Sequence, residues 1–285
     1  MSVFKNRGFS KASIELHLAQ PTISEHIKTL ERELNCKLFE RLGKKIIPTR
    51  EADVLYNHAL ELVEKADSVK GVLGRLKKEV AGELIIGAST IPGTYLLPAL
   101  MAGFKRKHPG VSFQVRVGDS QEIVQRVVSH HVLLGIVGSK IADAQINYIP
   151  FLEDELVIVA APSFMKSSRI SLKDLCQYPM VLREEGSGTR REAEKLLEGQ
   201  GVSCGSVKVA GIFGSTDAVK QAAKVGLGLT ILSRFSVTEE LKHKLLKEVK
   251  LDAPPMKRMF YIVTHKKRAL PLLYSLFLDH LKTKS

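Results

Sequence analysis

Cysteine is scarce in this 285-residue chain, and the three present, Cys36, Cys176 and Cys204, form no CxxC pair and match no histidine spacing. Such a scattered, odd-numbered set argues against a disulfide framework and a zinc site and points to a reducing compartment. Cys36, within Leu34-Asn35-Cys36-Lys37-Leu38, reads as a small buried hydrophobe rather than a redox sensor. Long apolar runs are also missing, with none approaching the ~18 residues that a membrane helix needs. Lys5 and Arg7 come at once after Met1 and no apolar leader stretch is present, so the expected location is the cytoplasm, with no membrane partner. Phosphate-binding loops of the GxxxxGK[ST] type, zinc-binding HExxH helices and nucleophile elbows are absent. Gly226-Leu227-Gly228 precedes a strand-like run, the wrong context for a dinucleotide. The expectation is a protein that is not an enzyme and carries no cofactor.

The chain is not short of charge. Lys and Arg number 43 against 30 Asp and Glu, a net of +13 and an isoelectric point near 9.6, which suits a polyanionic partner. The bias is uneven. Residues 1–50 hold ten Lys/Arg and five Glu, a net of +5, which leaves +8 for the other 235 residues. With 44% hydrophobic and 26% charged residues, the length fits two or three well-buried domains.

The basic end carries the most informative stretch, Phe9 to Leu34. Phe9, Ala12 and Leu16 share one helical face, Leu18-Ala19-Gln20 interrupts, and Ile23, Ile27, Leu30 and Leu34 resume the spacing, which predicts two short helices joined by a tight turn. Pro21 suits the first turn of the second helix. With its apolar positions inward, that helix turns Thr22, Glu25, Lys28, Thr29 and Arg32 outward, with Ser24 and His26 on the flanks. A polar, partly cationic helix on a small support fits a DNA major groove. Two surface helices packed on something larger would show the same periodicity. Leu38 to Arg41 and Ile46 to Pro48 are strand-like around Leu42-Gly43-Lys44-Lys45, which predicts a wing whose Arg41, Lys44 and Lys45 reach phosphates or a minor groove. Met1 to Lys5 reads as the last turn of a helix whose beginning is absent, as if the start were truncated.

From Thr49, an expected N-cap, Ala52, Leu55, Ala59, Leu62, Ala66, Val69, Leu73 and Leu76 recur at alternating spacings of 3 and 4. This heptad seam predicts a helix of roughly 27 residues that pairs with a second copy, and Gly82 is its expected stop. A two-fold dimer would place two readers on neighbouring half-sites. The expected domains are therefore 1–49, a winged helix-turn-helix; 50–82, a linker and dimerisation helix; and 83–285, an effector-binding domain.

Beyond residue 83 strand-like and helix-like stretches alternate, which predicts parallel βαβ units in two α/β lobes. Lobe I is expected to comprise 83–160 and 260–285, and lobe II 161–259. Three turns ahead of expected helices carry hydroxyls: Ser89-Thr90, Ser187-Gly188-Thr189 and Ser215-Thr216. Each offers backbone N–H groups at a positive helix end, so a small anion is the expected ligand, although Ser and Thr are also ordinary N-caps. Arg190 adds a cation that could pair with the anion or form a structural salt bridge.

The run LAQPTISEHIKTLERELNCKLFERLGKKIIPTREA resembles the DNA-binding domain of LysR-type transcriptional regulators. The later runs GSTDAVKQAAKVGLGLTILS and Leu134-Gly135-Ile136-Val137-Gly138 resemble that family's effector domain, which is periplasmic-binding-protein-like. The resemblance implies a ligand-responsive transcriptional regulator, homodimeric or homotetrameric, bound to double-stranded DNA. It places Gln20, Pro21, Ser24 and Glu25 at the major groove and Arg41 in the wing. It places Ser89, Thr90, Gly138, Ser187, Thr189, Ser215 and Thr216 around an inducer cleft. Three departures stand out. Glu25 replaces a frequent Arg, which favours acceptance from a cytosine amino group. Leu133 replaces a usual Asp, and His130-His131, read as surface residues rather than metal ligands, replace a Gly-Glu pair. The competing reading is a cytosolic anion-binding protein or enzyme with an N-terminal interaction domain. On the wing reading, replacing Arg41 or Lys44 by Ala lowers the salt slope of duplex binding by about one each and weakens all sequences alike. Fluorescence anisotropy across a salt series measures it, and an unchanged slope removes the wing from the contacts.

Overall fold

The computed structural model describes residues 1–42, 45–76, 80–201 and 207–283, and of these the backbone only at 41, 42, 45, 61, 64, 65 and 67–76. The chain divides into two compact units, 1–77 and 78–285.

The first unit begins with α1 (Ser2–Asn6), α2 (Phe9–Leu16) and α3 (Gln20–Glu33). The hairpin β1 (Phe39–Leu42) and β2 (Lys45–Pro48) follows, with Phe39 opposite Pro48 and Leu42 opposite Lys45, and then α4 (Arg50–Leu76). Val3, Phe9, Ala12 and Ile23 form the core, with Ile27, Phe39 and Ile46 against it. Thr49 caps α4 as expected, its hydroxyl accepting from the Ala52 amide at 3.2 Å and donating to the Lys37 carbonyl at 2.7 Å. Leu16 and Leu34, expected to face inward, are 47% and 44% exposed. Leu16 ends α2, where His17 turns left-handed at φ 52°, and Leu34 lies just past α3, so neither follows its helix face into the core.

The seam of α4 divides. Ala52 is buried within this unit beside Tyr56 and Leu60, and Tyr56 stacks on Phe4 with ring centroids 4.3 Å apart. Leu62 and Ala66 are exposed. The base of the seam thus serves its own unit, because Tyr56 and Leu60 extend the face of Ala52 at i+4 and i+8. Leu55 and Ala59 are half-buried, and the seam's side chains at 69, 73 and 76 lie outside the described residues.

The second unit is two α/β lobes. Its elements are β3 (Gly82–Ser89), a π-helical turn (Pro92–Leu96) running into α5 (Leu97–Lys107), β4 (Val111–Gly118), α6 (Ser120–Val128), β5 (Leu134–Val137) and β6 (Ile146–Ala160). Next come β7 (Arg169–Ile170), α7 (Leu172–Leu175), β8 (Pro179–Arg183), α8 (Gly188–Glu198), β9 (Lys208–Phe213) and α9 (Thr216–Lys224). The chain continues through β10 (Thr230–Ser233), α10 (Arg234–Lys242), β11 (Lys247–Leu251), β12 (Met256–His265) and α11 (Leu272–Lys282).

Strand order runs β4-β3-β5-β12-β6, with β3 parallel to β4 and β5 but β12 antiparallel to β5 and β6. The sheet is therefore mixed rather than wholly parallel. Strands β6 and β12 pair from Ile146↔His265 to Leu156↔Met256 and pass through both lobes. Phe151, Phe260 and Ile262 belong to the first lobe's core with Leu84, Phe104 and Phe277. Beyond the crossing, Leu156, Ile158 and Ala160 enter one core of the second lobe and Val157 and Val159 another, one on each face of the strand. Residues 156–160 pack in the second lobe, so the crossing comes several residues before position 160. Tyr274 on α11 donates its hydroxyl to Ile85 at 3.4 Å and accepts from that residue's amide at 3.0 Å, tying the C-terminal helix to the first lobe.

One buried acid holds the β1–β2 hairpin to α3. Glu31 is 9% exposed and accepts from the Leu38 and Phe39 amides at 2.8 and 3.3 Å and from Lys37 Nζ at 3.2 Å. Burial works to raise its pKa, but the Leu38, Lys37 and Phe39 donors together outweigh it and the value is lowered. A carboxylate held below its unfolded value adds stability at neutral pH that disappears as the pH falls through the folded value. Replacing Glu31 by Ala is expected to cost the first unit about 1–3 kcal/mol at neutral pH and less in acid, by leaving two amides unpaired. Thermal unfolding of the variant at pH 7 and below pH 4 measures both, and an equal loss at the two values would deny the carboxylate this role.

Candidate functional site

Two places gather the residues singled out in the sequence. On α3, Gln20, Pro21, Thr22, Glu25 and Lys28 are exposed, Ser24 is half-buried, and Ile23 on the opposite face is 4% exposed. Gln20 Oε1 accepts from the Ser10 hydroxyl at 3.0 Å, which joins the start of α3 to α2. Glu25 lies 3.4 Å from Arg32 Nη2, and both side chains are largely in solvent, so this contact holds the carboxylate only weakly. Arg41 and Lys45 are described by backbone alone and Lys44 lies outside the described residues, so the wing's cations have no side-chain geometry.

The second place is the cleft between the lobes. Ser89, Thr90, Gly138, Ser187 and Thr189 line it together, joined by Ile91, Asp119, Ser120, Arg183, Gly188, Arg258 and Phe260, around some 250 Å³ of space partly open to solvent. Local chemistry puts the hydroxyls there. Ser187 is the N-cap of α8 and accepts from the Arg190 amide at 3.4 Å, while Asp119 caps α6 by accepting from the Glu122 amide at 2.7 Å. Two helix N-termini from opposite lobes therefore open into the cleft, and the N–H groups of a first helical turn have no partner within the helix.

The lobes meet closely. A Cβ at Gly186 would collide with the Asp119 carboxylate, and one at Gly188 would lie 2.5 Å from Ser120 Oγ, so a side chain at either place would push these groups aside. Lys220 on α9 donates to Tyr95 Oη of the first lobe at 3.1 Å and pairs with Asp217 and Glu240, each at 3.1 Å. Burial alone would lower the pKa of Lys220, but these partners raise it well above the usual lysine value.

The strongest groups in the cleft are two arginines. Arg258 on β12 is 6% exposed, with Nε 2.7 Å from Asp154 on β6 and Nη1 donating to Thr189 at 3.2 Å. Its Nη2 is buried and has no hydrogen-bond partner among the described residues. Asp154 also accepts from Ser233 at 2.8 Å. Burial disfavours both charges, raising the pKa of Asp154 and lowering that of Arg258 against the pull of their pairing. Arg183 is committed elsewhere: Nε and Nη2 grip Glu184 at 2.8 and 2.6 Å, and Nη1 donates to Thr216 at 2.6 Å.

Three sequence-derived candidates thus sit outside the lining. Thr216 buttresses Arg183 from behind, and Ser215 caps α9 by accepting from the Ala218 amide at 3.1 Å. Arg190 turns away, because Glu194 one turn on holds its Nε at 2.6 Å and the Arg183 carbonyl accepts from Nη1 at 3.0 Å. Its role is the structural ion pair. Conversely, Asp119, Ser120, Arg183 and Arg258 were missed. Asp119 and Ser120 carry the same local signal as the other hydroxyl turns, whereas Arg258 meets Asp154 from 104 residues away and leaves no local trace.

Family models match nearly the whole chain: "Bacterial regulatory helix-turn-helix protein, lysR family" over residues 1–53 and "LysR substrate binding domain" over 77–285. The transcriptional regulator YeiE of Escherichia coli K12 is 33% identical, over 98% of this chain and 93% of its own length. The transcriptional activator CmpR of Synechocystis sp. PCC 6803 is 30% identical, over 98% of this chain and 91% of its own. Among solved structures, the regulatory domain of Synechocystis PCC6803 CcmR, in complex with 2-PG, superposes with a TM-score of 0.65 at 29% identity, over 71% of this chain and 97% of that domain. With a DNA-reading unit and a two-lobed ligand unit in one chain, both matched along their length, the protein belongs to the LysR family of ligand-responsive transcriptional regulators and is not an enzyme.

Proposed function

We propose that this regulator senses a small anionic metabolite in the cytoplasm, and that the ligand's oxygen takes the unpaired Arg258 Nη2. A guanidinium nitrogen that is buried without an acceptor, on a side chain that lines the cleft, is costly unless an acceptor arrives, and this one observation carries the reading. The hydroxyls agree with it. Ser120 accepts from the Gly138 amide at 3.3 Å, Thr189 from Arg258, and Ser187 from the Arg190 amide, so each has spent a lone pair internally and keeps its proton for a ligand. Affinity comes from oriented donors rather than net charge, because Arg258 is already neutralised by Asp154. The complex of the CcmR domain with 2-PG supports a small ligand in this fold.

DNA is read by Gln20, Pro21, Thr22, Ser24, Glu25 and Lys28 of α3, with Arg41, Lys44 and Lys45 reaching the backbone from the wing. Two or four copies assemble, through the part of α4 where Leu62 and Ala66 are exposed, on a partly palindromic operator. Ligand closes the lobes around itself and changes the packing between subunits, and hence the spacing of the readers. Such coupling requires the ligand to bind one arrangement more tightly.

A thermal-shift screen of small organic, sulfur-containing and phosphorylated anions tests the cleft. An anion at 100 times its dissociation constant adds about 2.7 kcal/mol of stability to the full chain. The double variant Asp154→Asn/Arg258→Gln keeps a neutral hydrogen-bonded pair and so avoids an uncompensated buried charge. It is expected to lose the response while retaining salt-dependent binding to duplex DNA. A response undiminished in the double variant, or no stabilising anion at all, would count against the proposal.

A further inference from the structure

The cleft holds an acceptor as well as donors. Asp119 is the one carboxylate among its described lining residues, and it enters from the first lobe with its two oxygens in different surroundings. Oδ1 is committed to the Glu122 amide. Oδ2 lies against Gly186 of the second lobe, in the space a side chain there would fill, and no donor is bonded to it among the described residues. Asp119 thus lines the same small volume as Arg258 and brings to it an oxygen that no protein donor holds among the described residues.

These two unpaired atoms make opposite demands. Arg258 Nη2 asks the ligand for an acceptor, and Asp119 Oδ2 asks it for a donor. An anion without a proton satisfies the first and sets a like charge against the second, in a site from which closure removes the water that would screen them. An anion with its own O–H or N–H answers both and turns the repulsion into a charge-assisted hydrogen bond.

We infer that the effector is an oxyanion carrying its own hydrogen-bond donor, such as a hydroxy acid or a monoprotonated phosphate, and that Asp119 is the residue that rejects aprotic anions. This rests on the cleft reading above and narrows the ligand class within it.

Paired probes of matched shape separate the two claims. Glycolate against acetate, and hydrogen phosphate against sulfate, differ chiefly in the donor, and calorimetry on the full chain near neutral pH gives each affinity. The wild-type chain is expected to prefer the protic member of both pairs by about tenfold or more, the scale of one hydrogen bond to a charged group. Asp119→Asn removes the charge while keeping a good N-cap for α6, and its amide can also donate, so the preference should fall toward one as the aprotic ions tighten. Ratios near one in the wild type, or ratios unchanged by Asp119→Asn, overturn the inference. Equal binding of all four that disappears in Asp154→Asn/Arg258→Gln would sink the donor requirement and leave the cleft reading standing. Binding of none of the four would remove the cleft reading and this inference together.

Discussion

The antiparallel pairing of β6 with β12 is the constraint on which the second unit depends. These strands build both lobes and cross between them, so a side chain at the crossing belongs to neither lobe alone. Asp154 and Arg258 lie there as partners in register, their side chains joined at 2.7 Å with almost no exposure. A buried ion pair stabilises poorly against an apolar alternative, since desolvation consumes most of its attraction. What this pair supplies is position. It fixes a guanidinium in the lining of the cleft, where it touches Thr189 of the second lobe.

The lobes hang on that crossing with different degrees of attachment. Each has its own apolar core on both faces of the shared strands. Between them run polar contacts, Lys220 to Tyr95, Arg258 to Thr189 and the close passage of Gly186 and Gly188 past Asp119 and Ser120, and an apolar one, Phe235 of α10 against Phe260. Halves joined by a short strand crossing and held by such contacts are the ingredients of hinge closure.

Much of this was legible in the sequence where the signal is local. Apolar spacing of three and four gave α2 and α3, although the ends misled at Leu16 and Leu34, where a periodicity cannot show that its helix has stopped. Hydroxyls ahead of helices marked Ser89, Thr90, Ser187 and Thr189, because N-capping is a property of a few adjacent residues. The same rule pointed to Ser215 and Thr216, which cap and buttress without reaching the cleft, since sequence says that a turn caps a helix but not where the helix points. Strand β6 was illegible. Pro150 and the acidic run Glu153-Asp154-Glu155 break its alternation, yet fifteen residues hold as one strand because partners on both sides supply the hydrogen bonds. Arg258 was beyond reach for the same reason, its meaning set by a partner more than a hundred residues away.

The tight passage of Gly188 past Ser120 has a kinetic corollary. At this point the walls stand close, and on the proposed function a ligand that leaves past them must wait for the halves to part. The contact from Lys220 to Tyr95, although remote from such a ligand, joins the same two lobes and so helps to set how long it is kept.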